Sequence, residues 1–326
     1  MRSADPIFAI TTPQEFSANC LEIFRYQAHH CEVYARYLSL LGILPDTIRR
    51  PEDIPFLPIE FFKSHVVSSG SQEPQLIFSS SGTTGTVQSK HYVADVTLYE
   101  RSFRRAFELF YGAPEEWTIL ALLPSYAERE GSSLIYMVDD LIHRSNHPQS
   151  GYFLYNHQDL FEVLTQLKAD RRKTLLIGVT YALLDFTENY CIDFPELVVM
   201  ETGGMKGRRR EMIREEVHEQ LRSGFHVSAI HSEYGMTELL SQAYSAGDGL
   251  FRCPPWMKIM IRDTNDPFQL LPTGQTGGIN VIDLANVQSC AFIATQDLGK
   301  IHPEGHFEVL GRFDQSDIRG CNLLVQ

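Results

Sequence analysis

A stretch of hydroxyl side chains and glycines, IFSSSGTTGTVQSK, separates an apolar run from Lys90. It follows strand-like residues, and α/β folds bind their ligands at the edge of the sheet where strands end. Gly82 and Gly85 would allow backbone N–H groups to approach an anion closely. The spacing is not that of a Walker A loop. Two interpretations stay open, a polyphosphate-binding loop and a polar surface loop. The hydroxyl donors of the first are Ser80, Ser81, Thr83 and Thr84.

A second stretch, HSEYGMTELLSQAY, combines an aromatic ring, a hydroxyl and a carboxylate within a few positions. Tyr234 could offer its ring to a base and Thr237 its hydroxyl to a phosphate. Glu238 could bind Mg²⁺, which prefers oxygen ligands. The alternative is the start of a helix, capped by Thr237 with Glu238 near its positive end.

A third stretch runs from Thr295 to Val325, TQDLGKIHPEGHFEVLGRFDQSDIRGCNLLV. Asp297 follows a predicted strand and could accept hydrogen bonds from ribose hydroxyls, and Arg312 could contact the same sugar or a phosphate. The alternative is a pair of β-hairpins whose turns use Asp, Gly and Pro.

Composition limits the kinds of ligand. The chain has 326 residues, 43% hydrophobic and 21% charged, as expected of a globular protein. Its formal net charge of −13 argues against broad binding to nucleic acid or an anionic membrane. No apolar run reaches the roughly 18 to 20 residues that cross a bilayer, and no signal peptide is apparent. We therefore expect a cytoplasmic protein with no membrane span. Its six cysteines are scattered, and we expect free thiols.

The elements that would position these stretches can be read from hydrophobic spacing. Thr12 to Glu15 has the pattern of a capping box, and helical spacing continues over residues 13–41, which predicts one long helix or two. The prolines of RPEDIPFLPIEFFKSHVV predict an extended segment.

From about residue 75 to 230, short apolar runs alternate with amphipathic stretches near 95–111, 157–169, 181–190 and 207–223. This alternation predicts an α/β domain with a mostly parallel sheet. The last apolar run is HVSAI, from residue 226. After residue 247, turn residues separate short strands. We expect an N-terminal helical and extended segment (1–74), an α/β core (75–246) and a β-rich subdomain (247–326).

The stretches occur in a characteristic order, with TGGMKGRR between the first two. The loop, then YGMTE, TQDLG and GRFDQSDIRG, resembles the ordered signature of adenylate-forming enzymes from about residue 75 to 322. Within that superfamily, EYGMTELLSQAYS and SDIRGCNLL resemble LuxE-like acyl-protein synthetases, which are related to phenylacetate-CoA ligases. The resemblance implies the large N-terminal domain type of that superfamily, with mostly parallel sheets flanked by helices and a β-rich subdomain.

The resemblance also implies roles for individual residues. Glu238 would bind Mg²⁺, Thr237 would contact the α-phosphate and Tyr234 would stack on the adenine. Asp297 would accept from the ribose hydroxyls with help from Arg312. The residues that would hold the β- and γ-phosphates of ATP are Ser80, Ser81, Gly82, Thr83, Thr84 and Gly85. Those that would run alongside the adenine are Gly203 and Gly204.

This sequence differs from the pattern of adenylate-forming enzymes in two ways, and both concern positively charged side chains. The lysine that usually follows the phosphate loop is displaced to Lys90, with Gln88 nearer its place. The sequence also ends shortly after Arg312, and we expect the mobile C-terminal domain of larger relatives, with its adenylation lysine, to be absent. Lys206 and the arginines 208–210 are a hypothetical replacement for that charge. The alternative is a solvated face in which the arginines pair with nearby glutamates.

Cys321 is the cysteine near the C-terminus, where acyl-protein synthetases carry the acyl group. It could attack an acyl-adenylate and form a thioester, or be a small buried residue of a final strand. The expected function is ATP- and Mg²⁺-dependent activation of a carboxylic acid, expected to be a fatty acid, and its transfer to a protein thiol. A reductase or carrier protein would accept the acyl group. The alternatives are a ligase that uses CoA or an acyl carrier protein, and a nucleotide- or acyl-adenylate-binding module without catalysis.

Overall fold

The computed structural model of the chain describes residues 5–80, 87–125, 128–203 and 212–312. Its α-helices are α1 (Asp5–Phe8), α2 (Pro13–His30), α3 (Glu32–Leu40), α4 (Phe61–Ser64), α5 (Val96–Tyr111), α6 (Ser133–Ser145), α7 (His157–Ala169), α8 (Thr180–Asn189) and α9 (Arg214–Phe225). Its strands are β1 (Leu57–Pro58), β2 (Leu76–Ser79), β3 (Lys90–Val93), β4 (Thr118–Leu122), β5 (Gly151–Tyr152), β6 (Thr174–Gly178), β7 (Val198–Glu201), β8 (His231–Tyr234), β9 (Ala243–Ser245), β10 (Phe251–Arg252), β11 (Met257–Arg262), β12 (Thr276–Asp283), β13 (Phe292–Ile301) and β14 (Phe307–Arg312). Short 3-10 helices cover Pro45–Thr47, Pro51–Asp53, Pro114–Glu116 and Leu284–Asn286.

The described residues form two compact units, each discontinuous in sequence. The first unit contains the residues up to Ser102, the segment Thr237–Ser241 and the residues from Arg252 onward. The second contains Phe103–Met236 and Gln242–Phe251. The division into residues 1–74, 75–246 and 247–326 stays a prediction.

The second unit is built on a sheet in which β5, β4, β6, β7 and β8 are parallel neighbours and β9 is antiparallel to β8. Every residue of β4 and β6 is buried, as is typical of parallel strands that are covered on both faces. Leu160 and Leu164 of α7 share one core with Phe186 of α8 and Phe225 of α9. Burial of each such side chain contributes about 1.5–3 kcal/mol.

The first unit contains the antiparallel order β11, β12, β13 and β14, with β1 parallel to β13, and a separate hairpin of β2 and β3. The N-terminal helix α2 is attached to this unit by the fully buried side chain of Gln27. Its amide nitrogen donates to the carbonyls of Asn286 (2.9 Å) and Val287 (3.0 Å), and its oxygen accepts from the N–H of Ala291 (2.9 Å). Every polar atom of this buried amide therefore has a partner.

The structure confirms the predicted fold class, a mixed α/β fold with mostly parallel strands and a β-rich part. The capping box is present, because the Thr12 hydroxyl accepts from the N–H of Glu15 and the Glu15 carboxylate accepts from the N–H of Thr12. The helical pattern over residues 13–41 forms two helices that are separated at Cys31, whose backbone is extended. Among the described residues, no helix has the length and apolar character needed to cross a membrane.

Three details differ from the expectations. Helix α6 lies outside the amphipathic stretches that the sequence predicts, although its buried residues recur at helical spacing. The last parallel strand is His231–Tyr234 and not the preceding apolar run HVSAI. The helix expected near 207–223 begins, within the described residues, at Arg214.

Candidate active site

The segment Thr237–Ser241 is fixed to the end of β12 by a buried carboxylate. One oxygen of Asp283 accepts from the backbone N–H groups of Leu240 (2.7 Å) and Ser241 (3.0 Å). The other accepts from the Ser241 hydroxyl and the N–H of Ala285. Burial raises the pKa of Asp283 to about 6 although these donors act in the opposite direction. The group is therefore ionised at neutral pH, and its four donors replace the water that a buried carboxylate loses.

Two more buried side chains hold the carbonyl groups of this segment. The ring of His91 in β3 donates from Nδ1 to the carbonyl of Thr237 at 2.9 Å, because a carbonyl can only accept. Burial lowers the pKa of His91 to about 4, so the ring is neutral. The amide nitrogen of Asn286 donates to the carbonyl of Glu238 at 2.7 Å. Thr237 and Glu238 lie in a turn and not at the start of a helix, so the helix-cap interpretation is wrong.

The Glu238 carboxyl is buried, with 6% of the residue exposed. Burial raises its pKa, while the Ser89 hydroxyl and the positive charges of Arg312 and Lys63 act in the opposite direction. Within the described ranges, Glu238 makes no salt bridge. A buried carboxylate without an ion pair is unfavourable, and a bound cation would stabilise it.

A magnesium ion fits this carboxylate. Mg²⁺ is commonly held by one or two protein carboxylates, with phosphate oxygens and water completing its shell. The described part of the chain contains no cluster of three or more His, Cys, Asp or Glu side chains suited to a metal. The chemistry of the donors therefore suits an ion that arrives with a phosphate ligand and not a metal held by protein side chains alone.

Asp297 and Arg312 face each other on neighbouring strands. The register of β13 and β14 pairs the two residues, and Nε of Arg312 lies 3.3 Å from Oδ1 of Asp297. The Asp297 side chain is 11% exposed and the Arg312 side chain 55% exposed. The structure thus brings together the acceptor and the cation that the third stretch predicts.

The hydroxyl-rich loop begins and ends at a hydrogen-bonded pair of serines. The N–H of Ser80 donates to the carbonyl of Ser89 at 3.1 Å, and the N–H of Ser89 donates to the Ser80 hydroxyl at 3.0 Å. The hairpin continues from this pair, with Ser79 opposite Lys90. Other predicted loop residues lie outside the described residues, namely Ser81, Gly82, Thr83, Thr84 and Gly85.

In the second unit, a buried carboxylate holds the backbone where β7 ends. Oε2 of Glu201 accepts from the Thr180 hydroxyl (3.0 Å) and from the N–H of Gly203 (2.8 Å). Nε2 of His218 lies 3.7 Å from Oε1. Burial acts to raise the pKa of Glu201, but hydrogen bonds from His218, Ser232 and the backbone of Gly203 bring it to about 2. Gly203 has a φ of +72°, in the left-handed region that favours glycine.

Strand β8 carries another buried carboxyl group, that of Glu233. Burial, followed by the negative charge of Glu201, raises the pKa of Glu233 to about 8, so Glu233 is protonated at neutral pH. A Cβ atom on Gly235 would lie 2.4 Å from Oε1 of Glu233, so a side chain there would have to displace the Glu233 carboxyl group. Tyr234 is 8% exposed, and its ring meets that of Phe251 at an angle of 63° with centroids 5.9 Å apart.

The predicted residues thus fall into three groups. Glu238, Thr237, Asp297, Arg312 and Ser80 lie in the first unit, and Tyr234 and Gly203 lie in the second. Gly204, Lys206, the arginines 208–210 and Cys321 lie outside the described residues. The sequence analysis did not identify the buried residues that hold the backbone around the candidate site. Two of them are acidic residues in otherwise apolar strands, which is a signal that the sequence does contain. The missed residues are His91, Glu201, Glu233, Asp283 and Asn286.

The fold is that of adenylate-forming enzymes. An open conformation of 2-hydroxyisobutyryl-CoA ligase, solved with 2-HIB-AMP and CoA, is similar with a TM-score of 0.65 at 12% identity, over 97% of this chain and 75% of that one. ATP-bound MatB from Rhodopseudomonas palustris is similar with a TM-score of 0.54 at 18% identity. That alignment covers 74% of this chain and 49% of MatB, so the chain spans about half of MatB.

The chain belongs to the acyl-protein synthetase family, LuxE, which matches residues 3–326. It is 33% identical over 86 residues to a long-chain-fatty-acid–luciferin-component ligase of Photorhabdus luminescens, over 26% of this chain and 73% of that relative. The family match and the fold agree with each other, and both support an acyl-adenylate-forming ligase.

A substitution of Asp283 tests how much its buried hydrogen bonds stabilise the protein. We expect Asp283→Asn to lower the free energy of unfolding by about 2–4 kcal/mol, because an amide nitrogen would face donors that an oxygen now accepts. Urea unfolding at pH 7 measures the change. Asp46→Asn is the matched control, because Asp46 is exposed in a short 3-10 helix and should change stability by less than about 0.5 kcal/mol. Equal stability of the two variants would contradict the role of Asp283.

The raised pKa of Glu233 predicts a pH dependence. Its pKa of about 8 in the folded protein exceeds the ordinary glutamate value of 4.5, so the folded state binds the extra proton between these two pH values. The stability that this proton contributes is complete below about pH 4.5 and is lost as pH rises through 8. The glutamine of the Glu233→Gln variant is neutral at every pH, so the variant does not lose this stability as pH rises. The free energy of unfolding of the variant, relative to that of the unmodified protein, should therefore rise by roughly 1–3 kcal/mol between pH 6 and 9.

Thermal and urea unfolding across this pH range measure the effect. Glu219→Gln, on the exposed face of α9, is the control and should show no such trend. A constant difference between Glu233→Gln and the unmodified protein at all pH values would show that Glu233 is not protonated in the folded state.

Proposed function

We propose that the chain uses ATP and Mg²⁺ to convert a carboxylic acid, specifically a fatty acid, into an acyl-adenylate and then passes the acyl group to a protein thiol. Membership of the acyl-protein synthetase family supports acyl activation and transfer in general. The observation that carries the proposal is the Glu238 carboxyl, which is buried without a salt bridge among the described residues, on a segment held by three buried side chains.

The first step exchanges one bond at phosphorus. A carboxylate oxygen of the acid attacks the α-phosphorus of ATP, the bond from that phosphorus to the bridging oxygen breaks, and pyrophosphate leaves. Bound Mg²⁺ would supply charge neutralisation at the phosphate oxygens. Because the reaction mainly needs positioning of charged groups, a rigid support for the carboxylate is a suitable arrangement.

The proposed roles follow the family motifs. Glu238 holds Mg²⁺, Thr237 contacts the α-phosphate, and Asp297 with Arg312 binds the ribose. In the second unit, Tyr234 stacks on the adenine and Gly203 runs beside it. The remaining proposed nucleotide contacts are Ser80, Ser81, Gly82, Thr83, Thr84, Gly85 and Gly204, and the proposed further cation is Lys206.

The second step transfers the acyl group to sulfur. A thiolate attacks the acyl carbon, the bond from that carbon to the AMP oxygen breaks, and AMP leaves with the electron pair. The thiol proton passes to solvent. The product is a thioester, which keeps the acyl group reactive for a reductase or carrier protein.

Most described cysteines are poor nucleophiles. Burial raises the pKa of Cys20 and Cys253 to about 12 and raises that of Cys31 and Cys290 as well. Cys191 is exposed, with Sγ 3.6 Å from Nδ1 of His226. The thiolate is the reactive species, so the choice is between Cys191 and Cys321, and the family resemblance favours Cys321.

The nature of the acid is inferred from one relative. The Photorhabdus luminescens protein is named a long-chain-fatty-acid–luciferin-component ligase. We carry that substrate class over as part of the proposal, and a panel of acids from acetate to palmitate, with aromatic acids included, tests it.

Intact-mass analysis tests the transfer step. After incubation with ATP, Mg²⁺ and the acid panel, we expect a mass increase that equals one acyl group and disappears with hydroxylamine. Cys321→Ser should abolish this adduct and retain acid-dependent exchange of pyrophosphate into ATP, because adenylation precedes the thiol.

Cys191→Ser is the matched control and should retain the adduct. Loss of the adduct in Cys191→Ser alone would move the nucleophile to that residue. Thioester formation on CoA or acyl carrier protein by Cys321→Ser at the unmodified rate would refute self-acylation and favour those acceptors. ATP binding without exchange for any acid would favour a binding module.

A further inference from the structure

The chain turns directly after β7, and both backbone polar groups of Gly203 have partners inside the protein. Its N–H donates to Oε2 of Glu201 at 2.8 Å, and its carbonyl accepts from the N–H of Thr180 at 2.9 Å. The N–H of Thr202 donates to the carbonyl of Gly178 at 3.1 Å. The turn is therefore fixed to the ends of two neighbouring parallel strands, β6 and β7.

The outer side of this turn is open. Apart from the adjacent chain, no atom of the described residues would lie within 4 Å of a Cβ atom on Gly203. A Cβ atom on Gly178, by contrast, would lie 2.9 Å from Cβ of Leu122. Gly203 thus presents bare backbone to open space, which allows a ligand to approach the chain closely. The ends of parallel strands are also where α/β sheets bind their ligands.

The buried carboxylate of Glu201 determines the geometry of the turn. Its side chain is 11% exposed, and Oε2 accepts from the Thr180 hydroxyl at 3.0 Å as well as from the N–H of Gly203. A buried carboxylate generally adds little net stability over an apolar side chain of the same size. Its two hydrogen bonds at Oε2 instead select one backbone geometry for Gly203.

His218 of α9 contacts the other oxygen of this carboxylate. Nε2 of His218 lies 3.7 Å from Oε1 of Glu201, and the His218 side chain is 9% exposed. Ser232 of β8 lies opposite Glu201 in the register of the two strands. Neighbouring residues of α9 belong to the core of the second unit, so the imidazole is held in a fixed position. His218 therefore keeps the carboxylate oriented with Oε2 toward Gly203.

We propose that Glu201 and His218 are positioning residues for ATP, which hold the turn at Gly203 so that its bare backbone supports one face of the adenine ring. This inference rests on the proposed function, under which Gly203 runs beside the adenine. Neither side chain needs to touch the nucleotide, because Glu201 acts through Gly203 and His218 acts through Glu201. Loss of either side chain would weaken ATP binding without changing the groups that bind the acid.

Direct binding of ATP tests the proposal without an acid substrate. In isothermal titration of the full chain with ATP and Mg²⁺, Glu201→Gln and His218→Ala should each raise Kd about fivefold to tenfold, because the turn loses a charge-assisted support. His218→Gln should stay within about threefold of the unmodified protein, since its amide nitrogen can reach the position of Nε2. The controls Glu219→Gln and His143→Ala change exposed side chains of α9 and α6 and should bind normally.

The base of the nucleotide gives a second readout. A pyrimidine covers less of the turn than adenine and makes fewer contacts with it. The ratio of Kd for CTP to Kd for ATP should therefore fall in Glu201→Gln and in His218→Ala. Partial unfolding would lower the number of binding sites per chain and leave this ratio unchanged. Equal weakening of both nucleotides would overturn the proposal. If thermal unfolding shows that Glu201→Gln does not fold, the comparison of His218→Ala with His218→Gln decides the question.

Exchange kinetics separate the positioning role from the proposed function. In acid-dependent exchange of pyrophosphate into ATP, both variants should raise KM for ATP and leave KM for the acid unchanged. Unchanged ATP affinity in both variants overturns the positioning role even if exchange is normal. ATP binding that depends on both residues, with no exchange for any acid, supports the positioning role and refutes the proposed function. An unmodified protein that does not bind ATP refutes both.

Discussion

The carboxylate of Asp283 accepts four buried hydrogen bonds, and the position of the segment Thr237–Ser241 depends on them. One of the four comes from Ala285, so the same side chain caps the 3-10 helix Leu284–Asn286. Asn286 at the end of that helix then holds the carbonyl of Glu238. A charge that is buried in this way is stable only while its donors stay in place. Any displacement of the segment that carries Glu238 would therefore leave the buried charge of Asp283 unpaired.

The support around Glu238 is made of groups that do not compete with a metal. His91 is neutral, and its Nδ1–H group donates a hydrogen bond to the backbone carbonyl of Thr237. The Ser241 hydroxyl donates a hydrogen bond to the Asp283 carboxylate. The same hydroxyl accepts a hydrogen bond from the indole N–H of Trp256 at 3.1 Å. The Glu238 carboxyl, by contrast, receives a hydrogen bond from Ser89 and no salt bridge within the described ranges. Such an arrangement fixes the backbone that carries the Glu238 carboxyl group.

The sequence predicts what depends on local patterns. The capping box at Thr12 and the buried parallel strands follow from short-range spacing, and both are observed. Motif order likewise led to Asp297 and Arg312, which lie opposite each other. The supporting contacts are different, because His91 and Thr237 are 146 positions apart and their pairing depends on the complete fold. Whether a histidine in an apolar strand is a core residue or a support cannot be read from its neighbours in sequence. The break between α2 and α3 at Cys31 also lacks a local signal, since no glycine or proline marks it.

We propose that Glu238 enables adenylation of an acid, and isotope exchange measures whether the reaction depends on this carboxylate. Acid-dependent incorporation of labelled pyrophosphate into ATP should be measured for the unmodified protein, Glu238→Gln and the exposed control Glu219→Gln at several Mg²⁺ concentrations. We predict exchange in the unmodified protein and the control, and a loss of about a hundredfold or more in Glu238→Gln, because an amide is a poor Mg²⁺ ligand at this position. Exchange by Glu238→Gln at the unmodified rate and with the same Mg²⁺ dependence would contradict the claim.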